Sequence, residues 1–221
     1  MRHCVGSEPI VMIPNNLRFS KAIDDTRPYH THRYDVFAPK IHRPVTIFGQ
    51  GQLKLWTLLE SDPLVEAYCE RPIVLVDKNP KRVIDFWARR RGTDELWIVT
   101  NEQSENNSVP NAFLAWADLK RFEIRKISYL ELERRNMFLQ NWGLILRDLG
   151  AFARLVDKEM MRKILALRSF PMKFIEVQNR FAEFDPVITR VCVFSLIHCG
   201  RLLAPDIESK ALGPESEVVK A

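Results

Sequence analysis

The chain has 221 residues, 46% of them apolar, with 33 Lys and Arg against 28 Asp and Glu and a formal net charge of +5. That is enough apolar material for one large or two small globular domains, and the charge is a mild lean toward a polyanionic partner. No uncharged apolar run approaches the roughly 18 residues of a membrane span, and the opening "MRHCVGSEPI" lacks the continuous apolar stretch of a secretory signal, so the expectation is a cytoplasmic protein with no membrane partner.

Residues 1–43 show no sustained helical period and form a basic N-terminal arm that ends in "HTHRYDVFAPKIHRP". Cations such as Arg33 and Arg43 alternate there with Tyr29, Tyr34 and Phe37. Basic residues interleaved with aromatics suit a segment lying along a phosphate backbone, and they equally suit an arm packed on the domain surface. His30-x-His32 has no third ligand nearby and reads as surface decoration.

Residues 44–128 read as one α/β domain. "PVTIF" is a short strand closed by "GQG", and "QLKLWTLLESDP" spaces Leu55, Leu58 and Leu59 as an amphipathic helix ended by Asp62-Pro63. Three strands are then expected, "RPIVLVD", "KRVIDFWARR" and "ELWIVTN", separated by Lys78-Asn79-Pro80 and Gly92-Thr93-Asp94. A polar loop, "EQSENNSV", precedes a helix over "PNAFLAWADLKRF", and "FEIRKIS" alternates like a strand. The order is α-β-β-β-α-β.

Residues 129–154 are read as a helical connector, with Gly143 and Gly150 each a break or a close-packing point. Residues 155–221 carry three helix patterns: "DKEMMRKILALR", "MKFIEVQNRFAEF" and "DPVITRVCVFSLIHCG". Asp185 caps the last, Pro186 opens it and Gly200 ends it. "RLLAPD" is a strand candidate, and the tail "GPESEVVKA" is expected to fray. Three short helices and a strand suggest a winged-helix-like domain. Its third helix is mostly apolar, with Arg190, His198 and Arg201 left for DNA. Cys192 and Cys199, on that helix, are read as buried thiols.

The functional question sits in "VIDFWARRR", where Asp85 interrupts a run of β-branched and aromatic residues. The α-β-β-β-α-β order matches the core of restriction-endonuclease-like nucleases. There a carboxylate on the second strand and an E-x-K on the third hold a divalent metal, because Mg²⁺ prefers carboxylate and water oxygens and the Lys meets phosphoryl charge. The other reading of Asp85 is an edge-strand residue facing solvent. Arg89, Arg90 and Arg91 follow it as a basic stripe, read either as a DNA contact or as a solvated strand end.

Three phrases carry a resemblance: Leu59-Glu60-Ser61-Asp62-Pro63-Leu64-Val65, then Glu70-Arg71-Pro72, then Ile84-Asp85-Phe86. In this order they resemble the N-terminal endonuclease domain of TnsA-type proteins, subunits of heteromeric transposases. "FDPVITRVCVFSLIHCGRLLAPD" is similar to the closing part of that family's C-terminal winged-helix-like domain. The resemblance implies 5′-end cleavage of transposon DNA with Mg²⁺, beside a DDE-type transposase subunit that handles the 3′ ends and an ATPase regulator. Carried across residue by residue, it makes Asp85 the chief metal ligand and catalytic residue. The first-helix Glu falls on Gln52, an uncharged donor. For E-x-K two registers arise: Glu95-Leu96-Trp97 keeps the acid without the Lys, and Val99-Thr100-Asn101 keeps neither. Glu95 is then the candidate second carboxylate and metal ligand, with Asp94, Glu102 and Glu70 as migrated substitutes. Arg89, Arg90, Arg91, Arg33, Arg43 and Arg190 are the DNA-contact candidates. A site with so few charges implies a cutting subunit only if acids have migrated in. Otherwise it implies an inactive adaptor linking transposase, regulator and transposon end, or a DNA-binding regulator.

Overall fold

The computed structural model describes residues 17–23, 26–75, 82–101 and 109–221. It is a mixed α/β structure, and none of its described helices is long and apolar enough to cross a membrane. The basic arm is not featureless. Its end forms β1 (Arg33–Ala38), paired antiparallel with β2 (Arg43–Phe48). The alternation of Tyr34 and Val36 with the exposed Arg33 and Asp35 is a short strand period that the dense charge conceals.

Gly49 turns the hairpin into α1 (Gln50–Ser61) with φ +100°, a conformation that strains any residue with a Cβ. Helix α1 buries Leu55, Trp56 and Leu59, and Asp62 closes it before Pro63, as its pattern predicts. The first strand of the meander is β3 (Val65–Glu70), not "RPIVLVD". Arg71 takes φ +46° and stops the chain from extending, so that stretch contributes only β4 (Val74–Leu75), paired with β5 (Arg82–Val83). The turn residues Lys78-Asn79-Pro80 lie outside the described residues.

β6 (Phe86–Arg90) and β7 (Thr93–Thr100) complete the antiparallel part; α2 (Asn111–Leu119) then crosses over so that β8 (Phe122–Ser128) runs parallel to β7. The sheet order is β3-β6-β7-β8. One face, with Ala67, Cys69, Trp87, Leu96 and Ile98, packs with Ala117 of α2. The other, with Tyr68, Phe86, Ala88 and Trp97, packs with α1. The Cys69 thiol in the first core is pushed up to about 12 by burial and by the neighbouring Glu70 charge.

α3 (Tyr129–Arg134) starts at a Ser128/Glu131 capping box and α4 (Asn136–Phe152) follows. Neither glycine breaks α4: a Cβ at Gly150 would stand 3.5 Å from Phe37 of the hairpin, and one at Gly143 would meet nothing within 4 Å. After a 3-10 turn at Ala153–Leu155 come α5 (Lys158–Ala166), β9 (Met172–Lys173), α6 (Phe174–Arg180), α7 (Pro186–His198), β10 (Leu202–Leu203) and β11 (Glu217–Lys220). The expected frayed tail is instead the central strand of a β10-β11-β9 sheet, because Val218 is fully buried. Cys192 is buried, whereas Cys199 is exposed where α7 ends. A single apolar cluster runs from Val45 and Leu55 through Trp142 and Leu146 to Val193 and Val218, so the sheet and the C-terminal helices share one core.

Candidate functional site

The sheet brings together residues far apart in the chain. Asp85 sits between β5 and β6, with its N–H donating to the Trp97 carbonyl at 3.2 Å and its carbonyl accepting from the Arg71 N–H at 2.8 Å. Its carboxylate accepts from Gln52 Nε2, 3.1 Å from Oδ1, and from the Val99 N–H, 2.7 Å from Oδ2. Gln52, which the resemblance carries over as a weak metal ligand, thus meets Asp85 as a hydrogen-bond donor. Helix α1 positions it: the Gln52 carboxamide lies over Gly49, where an added Cβ would stand 2.3 Å from Oε1.

The third-strand register is neither of the two considered from sequence. Asp85 touches β7 at Trp97 and Val99, so the residues beside it are Trp97-Ile98-Val99. Trp97 and Val99 lie on the α1 face with Glu95, two residues further back. Glu95 is four residues from Val99, roughly 13 Å of strand. The residue is 2% exposed, and its carboxylate takes hydrogen bonds from Trp97 Nε1 at 2.9 Å and Arg125 Nε at 3.2 Å.

The described substitutes are occupied as well. Glu70 is clasped by both terminal nitrogens of Arg43. Asp94 lies on the opposite face, against Arg18, Arg89 and Trp87. Glu102 lies outside the described residues. Among the described residues no three His, Cys, Asp or Glu side chains form a metal-holding group. This donor set does not fit a resident Mg²⁺, which needs several carboxylate and water oxygens free to surround it at about 2.0–2.1 Å. The Asp85 oxygens face N–H donors, and the described acids Glu70, Asp94 and Glu95 are each held by an arginine.

One cation nearby was missed in the sequence. Lys54, two residues after Gln52 on α1, pairs with Glu133 and stands 5.2 Å over the Tyr129 ring, while Gly51 lies against both Val99 and Tyr129. Lys54 and Tyr129 hold the Glu133 carboxyl below its ordinary range.

The basic stripe is divided by strand geometry. Arg89 points to the α2 face and pairs with Asp94; Arg90 points to the α1 face and pairs with Asp62 at 2.7 Å. Arg91 occupies the exposed β6–β7 turn with φ +50°. Arg33 pairs with Asp35 and Arg190 with Asp148. His198, expected to be available to DNA, instead stands 2.8 Å from the fully buried Glu60, which also accepts from the Tyr68 hydroxyl and the Lys40 N–H.

Next to Trp97 a cleft of about 460 Å³ opens on the α1 face of the sheet. Leu55 and Leu58 of α1, Ile127 of β8 and Phe138 of α4 form its apolar floor, and Arg90, Arg125 and Arg135 stand around it. No family model matches the chain, and no curated protein matches it.

Proposed function

We propose that this chain is a TnsA-like subunit of a heteromeric transposition assembly that serves as a non-cutting adaptor. In this reading it links transposon-end DNA, a DDE-type transposase and an ATPase regulator in the cytoplasm. The fold part of the proposal is a restriction-endonuclease-like core followed by a winged-helix-like part. Its support is α1, then the four-stranded sheet strands β3, β6 and β7 with the β4-β5 hairpin inserted after β3, then α2 and a parallel β8, and, beyond α3 and α4, α5, α6 and α7 closed by a small antiparallel sheet.

One observation carries the non-cutting half: the third-strand positions beside Asp85 hold Trp97 and Val99, and the Asp85 carboxylate is used by Gln52 and the Val99 N–H. Loss of a single electrostatic stabiliser typically costs about 10²–10³ in rate. With both E-x-K positions apolar or aromatic and the first-helix acid replaced by an amide, the described residues offer Mg²⁺ too few ligands and a developing phosphoryl charge no Lys at the third-strand position. Asp85 then acts as a strut between α1 and β7.

The test is a supercoiled plasmid carrying transposon ends, incubated with the partner transposase and Mg²⁺ or Mn²⁺, with wild-type chain or Asp85→Ala. The expected result is 3′ strand transfer without 5′ breaks, equal for both proteins. Breaks at the 5′ ends that Asp85→Ala abolishes overturn the adaptor reading in favour of a nuclease. Strand transfer indifferent to the chain's presence overturns the link to transposition.

A further inference from the structure

β8 is the outer strand of the four-stranded sheet, and among the described residues β7 is the strand it pairs with. The Ile127 carbonyl accepts from the Thr100 hydroxyl at 3.4 Å, so it faces β7, and with it face the backbone groups of Glu123 and Arg125. One residue on, the Ser128 N–H turns the other way and donates to the Glu131 carboxylate at 2.9 Å. The N–H and C=O groups of Phe122, Ile124 and Lys126 therefore point out along the edge, where they form a template for a further strand. Exposed apolar side chains stand at both ends of this edge: Leu119 just before the strand, 78% exposed, and Tyr129 and Leu130 just after it, 36% and 44% exposed.

We infer that the β8 edge takes the β8 of a second copy of this chain, antiparallel and two-fold symmetric about Ile124, so that the two sheets become one. In this register outward-facing residues meet: Phe122 lies opposite Lys126 of the other copy, and Ile124 lies opposite itself. An axis at Glu123 or at Arg125 keeps the same parity but sets two like charges face to face, and an axis nearer either end loses most of the overlap. About Ile124, Glu123 lies across from Arg125 of the other copy. These two already pair within the strand at 2.6 Å, so the charges of both copies alternate in sign and none directly opposes its like. The same axis carries the Leu119 end of each β8 to the Tyr129 and Leu130 end of the other, covering apolar surface that a single copy leaves to water. A second copy thus answers both the open edge and the apolar ends, whereas a strand of unrelated sequence answers only the edge. The inference is independent of the transposition reading.

The test is sedimentation equilibrium of the full chain, for which a dimer is expected. Lys126→Pro should weaken that dimer about ten-fold or more, because it deletes an outward N–H from each copy and none of the bonds to β7. Disulfide trapping is the second readout, in a chain that also carries Cys4→Ser and Cys199→Ser. On the axis the two Cα atoms of residue 124 stand about 5.5 Å apart, within disulfide reach, so Ile124→Cys should link two copies when oxidised with diamide. Lys126→Cys, displaced from the axis, should not. The inference is overturned if Lys126→Pro dimerises as tightly as wild type, or if Lys126→Cys links as readily as Ile124→Cys. A chain that stays monomeric throughout the micromolar range overturns it too, and leaves the edge to a strand of another protein.

Discussion

Asp85 shows how one carboxylate changes meaning with its neighbours. In the sequence it is the metal-ligand candidate of a nuclease strand; in the structure it ties α1 to β7 through Gln52 and Val99. Asp85→Ala leaves a strand N–H and a side-chain amide without their acceptor, and the expected cost is about 1–3 kcal/mol in urea unfolding. Asp85→Asn keeps one acceptor oxygen and should lose less. An unchanged urea midpoint for Asp85→Ala would remove the strut role. The resemblance placed Gln52 and Asp85 in one site as metal ligands, whereas the structure joins them by a hydrogen bond. The capture of Glu95 by Arg125 was not, since the two are thirty residues apart and meet only through the parallel β7–β8 pairing.

At the level of elements, α1, β6, α2, β8 and the last three helices followed their periodicity, and the misplaced elements share a physical cause. β3 hides behind Glu66 and Glu70, yet Glu70 is buried because Arg43 arrives from β2 to neutralise it. β1 hides in the same way, with Arg33 and Asp35 paired on its outer side. The glycines make the element scale testable. Gly49→Ala forces a Cβ onto φ +100° and into Gln52 Oε1, and should cost about 1–3 kcal/mol. Gly143→Ala adds a methyl in open space on an exposed helix position and should stabilise by about 0.5–1 kcal/mol. Thermal melts of the two variants moving in opposite directions would support both assignments; a neutral Gly49→Ala would refute the first.

The whole molecule is governed by the shared core. α4 packs against α1 on one side and α7 on the other, and the Glu60–His198 contact ties α7 to α1 through a buried carboxylate. Burial and the Glu60 charge push the Tyr68 hydroxyl well up, which keeps it the proton donor to Glu60. The C-terminal strand belongs to the same body. Deleting Glu217–Ala221 removes the middle of a three-stranded sheet and a fully buried valine. Burying one valine is worth about 1.5–3 kcal/mol, so the truncated chain should lose at least that much and melt well below wild type. A melt unchanged by the deletion would return the tail to the frayed state its polarity suggests.

By itself the sequence determined the α/β class and the helix ends set by Asp62-Pro63, Asp185-Pro186 and Gly200. These follow from local periodicity and capping, which need only neighbours in the chain. Only the tertiary structure decided which residues of β7 stand beside Asp85, since a shift of one residue exchanges the two faces of a strand. It also decided that Glu70, Asp94 and Glu95 are each held by an arginine from another element, and that a polar tail is a core strand. Charge and burial at those positions are settled between segments distant in sequence, where Coulomb pairing and packing act through space.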